Sequence, residues 1–352
     1  MAANITYHEQ TDMDNIRKLR EVLKTLPAFA KDYFRAIEPT TSTKTRISYA
    51  YDIRIFFQFL ISQNPSLAKI GIPNLNVSVL DQLKPIDIEE YMEYLKLYDS
   101  PNDQTTITNG ERGLKRKISS LRSFYTYYYK RQAIETNPVQ LVDMPKIHDK
   151  AIIRLDAGET AALLDYIEHC GDQLTGQRKA YYEKTKLRDL AIVTLLLGTG
   201  IRVSECVGLD VEDIDFRNNG IRLIRKGGSE MVVYFGPEVE KALKDYLEAR
   251  KAISPLEGHE HALFYSTQRK RIGVQAVENL VKKYARAITT TKKITPHKLR
   301  STYGTTLYQE TGDIYLVADV LGHKDVNTTK KHYAAMDDAR TAIRKGVRHL
   351  TC

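Results

Sequence analysis

Apolar residues recur three or four positions apart through long blocks of the chain, and this spacing predicts a mainly helical protein. Residues 13–26 and 28–37 read as two short amphipathic helices separated by Pro27. Thr40-Thr41-Ser42-Thr43 offers capping hydroxyls to a helix from Lys44 to Ile61, whose stripe is Ile47, Tyr51, Ile55, Phe56, Phe59 and Leu60. Segments 71–84 and 99–110, rich in Asn, Pro, Asp and Thr, read as loops around a helix at 86–97. From Arg112 to Lys130 the stripe is Leu114, Ile118, Leu121, Phe124, Tyr125 and Tyr128. The opposite face carries Lys115, Arg116, Lys117, Arg122 and Lys130, a basic surface able to lie along phosphates; the aromatic rings read as core.

Asn137-Pro138 ends this block, and Met144 to Lys150 reads as a linker with a domain boundary near 148. Beyond it, Asp156-Ala157-Gly158-Glu159 caps a helix bearing Leu163, Leu164 and Ile167, and most of 170–186 reads as a polar loop. Asp189 to Leu197 is almost continuously apolar, hence a buried helix, which Gly198 and Gly200 terminate. Strands at 221–224 and 231–235 flank Gly227-Gly228, a hairpin signal. Helices follow at 238–252, 274–288, 296–310 and 314–320. The expected class is mainly α: a helical N-terminal domain, then a mostly helical C-terminal domain with a small antiparallel sheet.

With 42% hydrophobic and 28% charged residues and no apolar run near the ~20 residues needed to span a bilayer, the chain reads as soluble and globular. The N-terminus has no signal-peptide pattern, and Cys170, Cys206 and Cys352 form neither a disulfide framework nor a zinc knuckle, so a reducing cytoplasm is expected. The net charge of +9 is uneven. Residues 1–110 sum to −2, residues 111–150 to +5, and 267–300 hold ten Lys/Arg against Glu278 alone. Such clustering points to a polyanion, with nucleic acid the leading class. Nucleotide and metal motifs are absent from this reading: Gly171 to Gly176 leads into Gln177-Arg178 rather than a P-loop Lys-Ser/Thr, and His259-Glu260-His261 lacks a third ligand.

The candidate chemistry lies in polar residues that a core would reject: Arg202 after Gly198-Thr199-Gly200, His297 and Arg300 three apart, His323 after Leu321-Gly322, and Tyr333. Lys226 on the hairpin adds a candidate lysine. Attack on a phosphodiester loads charge onto two non-bridging oxygens, and without a metal, side chains must neutralise it. Arginine suits this, because its planar fork spans two oxygens and stays protonated.

In order and spacing these residues resemble the tyrosine recombinase, or phage integrase, family. Arg188 to Asp215 resembles its first block, with Arg202 and Glu205; His297-Lys298-Leu299-Arg300 its second; Leu321-Gly322-His323 through Thr328-Thr329 to a tyrosine its third. The resemblance implies an N-terminal extension (1–40), a SAM-like core-binding domain (41–147) and a catalytic domain (148–352). It implies that Arg202 and Arg300 clamp the scissile phosphate, His297 assists proton transfer, and His323 bonds a non-bridging oxygen. Lys226 would protonate the leaving 5′-oxygen and Tyr333 would form a 3′-phosphotyrosine, with neither cofactor nor metal. The implied partners are double-stranded DNA with an inverted-repeat site and three further copies of the chain in a homotetramer on two sites, with room for an accessory division or DNA-translocase protein. Within the family the chain is most similar to bacterial Xer-type recombinases that act alone and resolve chromosome dimers. The rival readings are a mobile-element integrase, against which residues 1–40 show no clear arm-binding domain, a silent DNA-binding protein of the same fold, and a type IB topoisomerase.

Two departures from the pattern stand out. His323 and Tyr333 are ten residues apart where nine is commoner, and the hairpin reads Arg225-Lys226-Gly227-Gly228-Ser229 where Gly-Lys-Gly-x-Lys is usual. Beyond Tyr333, Met336, Ala339, Ile343, Val347 and Leu350 recur at helical spacing; the stripe fits a terminal helix packed on its own domain, whereas the resemblance implies that it docks on a neighbouring protomer.

Overall fold

The computed structural model describes residues 6–99, 105–148, 152–225 and 229–322, together with Val326 and Thr329. The chain divides into two compact units, residues 1–149 and 150–352.

The first unit begins with α1 (Tyr7–Lys24), α2 (Ala30–Ala36), α3 (Thr43–Gln63), α4 (Pro65–Ile70) and α5 (Pro85–Tyr94). A hairpin of β1 (Leu97–Asp99) and β2 (Thr106–Thr108) precedes α6 (Glu111–Lys130) and the single turn α7 (Pro138–Leu141). The stripe read on α6 is buried as expected, and its rings are core: Phe124 packs edge-on against Tyr33, Phe57 and Tyr128. The phenols in this core reach polar partners, Tyr33 Oη donating to Ser123 Oγ at 2.9 Å and Tyr128 Oη to the Phe29 carbonyl at 2.8 Å. A buried hydroxyl left unpaired would cost more than its ring gains in specificity.

The expected loop at 99–110 is instead partly sheet, pairing Tyr98 with Ile107 and Asp99 with Thr106. Three-residue strands leave no alternation to read. What holds them is Tyr98, buried and stacked on Tyr94.

The basic face read on α6 is also corrected. Lys117 is buried, its Nζ 3.2 Å from Asp52 Oδ1, while Arg116 grips both Asp52 oxygens at 2.5 and 2.8 Å. Arg122 donates to the carbonyls of Val139 and Val142 and so anchors α7. Two of the five cations thus serve the fold, and Arg116 serves it in part. Burial pushes the Asp52 carboxyl above its ordinary range against the pull of Lys117 and Arg116, and pushes Lys117 down.

The second unit opens with α8 (Ala157–His169), capped by Asp156 and Glu159 in a reciprocal box as expected. Then α9 runs from Gly176 to Thr199, so the loop expected at 170–186 is mostly helix. Its first half exposes nearly everything except Tyr182 and Thr185, which leaves no apolar stripe to find. Tyr182 fastens it, donating to the carbonyls of Ile167 and Glu168 at 3.0 and 2.6 Å. Short α10 (Val203–Gly208) leads to a sheet in the order β3 (Ile214–Asp215), β4 (Gly220–Ile224), β5 (Glu230–Tyr234), all antiparallel. The chain continues through α11 (Pro237–Arg250), α12 (Val274–Ile288), α13 (Pro296–Thr311) and α14 (Ile314–Leu321), each within two residues of its predicted bounds.

Helix α9 is the spine of this unit, packed by α8, α11 and α13. Its apolar end buries Ala191, Ile192, Val193, Leu195 and Leu196 completely. Asp189 ties it to its surroundings, accepting from Arg188 at 2.7 and 3.0 Å and from Tyr284 Oη of α12 at 3.0 Å. The helix stops where Gly200 turns left-handed at φ 63°; Gly198 lies inside the last turn. No described helix is long and apolar enough to cross a membrane.

Removing one partner of a buried ion pair strands the other. Asp52→Ala is therefore expected to destabilise the protein by roughly 3–5 kcal/mol in denaturant unfolding. Asp52→Ala with Lys117→Met should recover most of that loss, and an unchanged midpoint in the single variant would show that Lys117 needs no counter-ion.

Candidate active site

The left-handed Gly200 ends α9 and redirects the chain, so that Arg202 becomes the residue just before α10. Glu205, buried three residues on, fixes it twice: one carboxylate oxygen accepts the Arg202 backbone N–H and the other its Nη1, both at 2.7 Å. The Arg202 side chain keeps 39% of its surface exposed, so its charge reaches solvent.

Arg300 comes from α13, which starts with Pro296 as its first residue. It is only 4% exposed. Its Nη1 donates to the Gly200 carbonyl at 2.5 Å and its Nη2 to the Leu321 carbonyl. His297, one turn earlier, is exposed. Neighbouring Thr302 accepts the Leu155 backbone N–H at 3.0 Å, which holds the segment before α8 against α13.

These two arginines meet at the end of α14. Gly322 closes that helix in the left-handed region at φ 59°, its N–H returned to Ala318 and Asp319. A helix end leaves its last carbonyls without intrahelical donors. Here three consecutive ones are taken by arginines from three different elements. Arg225, at the end of β4, donates to Val320 O at 2.8 Å; Arg300 donates to Leu321 O; Arg202 donates to Gly322 O at 3.2 Å. The negative end of the helix dipole compensates the crowding of like charges. Burial lowers the Arg225 pKa, and the Arg202 charge lowers it further against the pull of Glu205 and Asp319.

Of the six candidate residues, Arg202 and Arg300 are brought together on adjacent carbonyls, with His297 one turn from Arg300. Lys226, His323 and Tyr333 lie outside the described residues; in sequence Lys226 follows Arg225, and His323 follows Gly322. The tail helix expected beyond Tyr333 also lies outside them. Arg225 is the participant that the motif reading passed over. Its signal was the departure itself, an arginine where the hairpin pattern has glycine.

The arrangement suits an anion. Among the described residues three guanidinium groups converge, and the Glu205 carboxylate bonds Arg202. Nearby reactive groups are disabled by burial. The Cys206 thiol is fully buried and pushed up to about 12, and burial raises Tyr303, whose ring fills the space beside Gly200. His261, from the His259-Glu260-His261 run, is paired with Glu212 at 2.9 Å. Of the ten basic residues between 267 and 300, Arg271 is bonded to Asp210 and the Leu209 carbonyl, Lys292 to Glu159, Arg300 is buried and Lys298 half-buried; Arg269, Lys270, Lys282, Lys283, Arg286 and Lys293 are exposed.

The model of the phage integrase family matches residues 154–340. The tyrosine recombinase XerC of Caldanaerobacter subterraneus subsp. tengcongensis is 33% identical over 92% of this chain and 88% of its own length. The tyrosine recombinase XerS of Streptococcus equi subsp. zooepidemicus is 29% identical over 94% and 98%. Among solved structures, XerH site-specific recombinase bound to palindromic difH substrate in a post-cleavage complex aligns with a TM-score of 0.62 at 18% identity, covering 87% of this chain and 80% of that one. The Tn1549 transposon integrase in complex with transposon right end DNA aligns at 0.60 with 22% identity, covering 89% and 97%. At those identities the structural likeness concerns the fold: a helical unit followed by a mostly helical unit with a small antiparallel sheet. The family match across more than half of the chain, joined to 33% identity along nearly all of it, makes this protein a member of the phage integrase family, a site-specific tyrosine recombinase.

Proposed function

We propose that the protein cleaves and rejoins DNA at an inverted-repeat site through a 3′-phosphotyrosine, and that its task is the resolution of chromosome dimers. The observation that carries the chemistry is the pairing of Arg202 and Arg300 on the Gly322 and Leu321 carbonyls, at the point where the chain enters the segment of His323 and Tyr333. The Xer names of the relatives, rather than any feature of the site, favour dimer resolution over the integration of a mobile element.

In the proposed reaction, Tyr333 Oη attacks the scissile phosphorus and the bond to the 5′-oxygen breaks. Negative charge grows on the non-bridging oxygens, and the forks of Arg202 and Arg300 with His323 neutralise it, being set in place before the reaction starts. A free phenol has a pKa of ~10, so His297 takes part in moving its proton. Lys226 supplies a proton to the departing 5′-oxygen. A 5′-hydroxyl from the partner duplex then attacks the phosphotyrosine, releases the tyrosine and rejoins the strand. The phosphotyrosine conserves the bond energy, and two rounds of exchange pass through a Holliday junction. Four copies on two sites complete the assembly, in the cytoplasm where the chromosome lies, with an accessory division protein as a further partner.

Tyr333→Phe is expected to abolish covalent capture of a suicide DNA substrate while leaving binding intact. An adduct formed by that variant would remove Tyr333 from the nucleophile's place. Arg202→Ala should slow single-turnover cleavage at least ~10²-fold, the scale of losing one preorganised donor. A near-normal rate would put the phosphate elsewhere. Binding should weaken steeply with salt. If about eight phosphates are neutralised, log K falls against log salt with a slope near −7. A flat dependence in filter binding or anisotropy would argue against an extended backbone clamp.

A further inference from the structure

We propose that Arg225 is a positioning residue for the phosphate-binding site: seated over Gly322, it fixes the end of α14 from which Arg202 and Arg300 take their geometry. This rests on the reading that those two arginines hold the scissile phosphate.

Three observations carry it. The first is reach. Arg225 closes the hairpin through its backbone, its N–H bonded to the Ser229 carbonyl at 2.8 Å, yet its side chain turns away from the sheet to bond Val320 across 95 residues of sequence. A long cation at a hairpin end would ordinarily extend into water.

The second is cost. The guanidinium is half-buried beside a second cation, Arg202, and its Nε has no hydrogen-bond partner among the described residues. Burying charge in this way is unfavourable unless the surroundings offset it, and even with the Val320 carbonyl and the pull of Glu205 and Asp319 the Arg225 pKa stays lowered. Stability alone does not account for the placement. The third is the fit to Gly322. A Cβ built on Gly322 would fall within the Arg225 guanidinium. A side chain at 322 would push the guanidinium out of this seat, so glycine, which the positive φ favours, also leaves the arginine its place. The carbonyls of Val320, Leu321 and Gly322 are consecutive, so what fixes the first sets the direction of the other two. Those two hold Arg300 and Arg202.

If Arg225 acts through the phosphate arginines, its loss should matter only while the phosphate carries full charge. The test compares single-turnover covalent capture, at saturating DNA, on a suicide substrate with an ordinary scissile phosphodiester and on one with a neutral methylphosphonate there. Arg225→Ala should slow capture roughly 10- to 100-fold on the phosphodiester, the scale of a small misplacement. DNA affinity should be unchanged, and the deficit should shrink to a few-fold on the methylphosphonate. Arg202→Ala, run beside it, should show the same shrinkage. If the Arg202→Ala deficit shrinks and that of Arg225→Ala does not, or if Arg225→Ala cleaves normally, Arg225 is not a positioning residue and the phosphate reading stands. If neither deficit shrinks, the phosphate reading fails and the proposal fails with it. Should Arg225→Ala not fold, Arg225→Met, which keeps the stem and loses the charge and its donors, should show the same substrate-dependent deficit. Where Arg225→Ala and Gly322→Ala both fold, adding the first to the second should cost nothing more, because the contact is already lost; a full additive loss would overturn the coupling.

Discussion

A helix end is a place of unmet hydrogen bonding, and this protein spends that deficit at α14. Ordinary solutions use water, a tightened last turn or a neighbouring lysine. Here the Val320, Leu321 and Gly322 carbonyls receive one arginine each, from β4, α13 and the residue before α10. Because Arg300 also bonds the Gly200 carbonyl, the C-terminal ends of α9 and α14 are joined through one side chain. The spine helix, the hairpin and the segment leading towards His323 therefore share a single point of reference. Moving any one of them changes the hydrogen bonding of the others, which is the property expected of a preorganised anion site.

The first unit solves a similar problem by opposite means. Asp52 is 2% exposed and collects Arg116 and Lys117 from α6, so a charged cluster joins α3 to α6 beneath an aromatic core. In α14 cations meet neutral carbonyl dipoles and keep a surplus of charge; at Asp52 the charges meet a carboxylate and are largely spent. Lys117 and Arg122 accordingly contribute to shape, and of the basic residues read on α6 the exposed Lys115 and Lys130 remain for a polyanion.

Much of this was legible in the sequence because it follows from periodicity or motif. The stripe of α6, the end of α9 at Gly200 and the four helices after Phe235 appeared where apolar spacing and glycine put them. The early half of α9 did not, because a surface helix anchored by Tyr182 and Thr185 alone shows no stripe. The hairpin of β1 and β2 did not, because its strands are shorter than any alternation. Charge was the least legible property. Composition counts Lys117 and Arg271 as it counts Lys282, and only packing separates a cation bonded to Asp52 or Asp210 from one in solvent. Arg225 was visible as a broken pattern, but its meaning needed the position of Gly322, nearly a hundred residues away.

The charge balance of the site bears on what it is built to hold. Among the described residues three guanidinium groups converge where one carboxylate, Glu205, bonds Arg202, so positive charge predominates. A phosphodiester at rest carries one negative charge, whereas attack by a phenolate adds a second to the same group of atoms. In the proposed reaction such a site meets the charge that grows during attack better than the charge of the resting substrate, and only that difference accelerates the step. Glu205 is central to the match. By taking one N–H of Arg202 it fixes the direction of the fork and trims the total charge, while the helix dipole of α14 steadies what remains without adding a counter-ion that would compete with the phosphate. Arginine is the residue able to do this, because one fork can satisfy a carboxylate and a carbonyl while it still turns its charge towards a third oxygen.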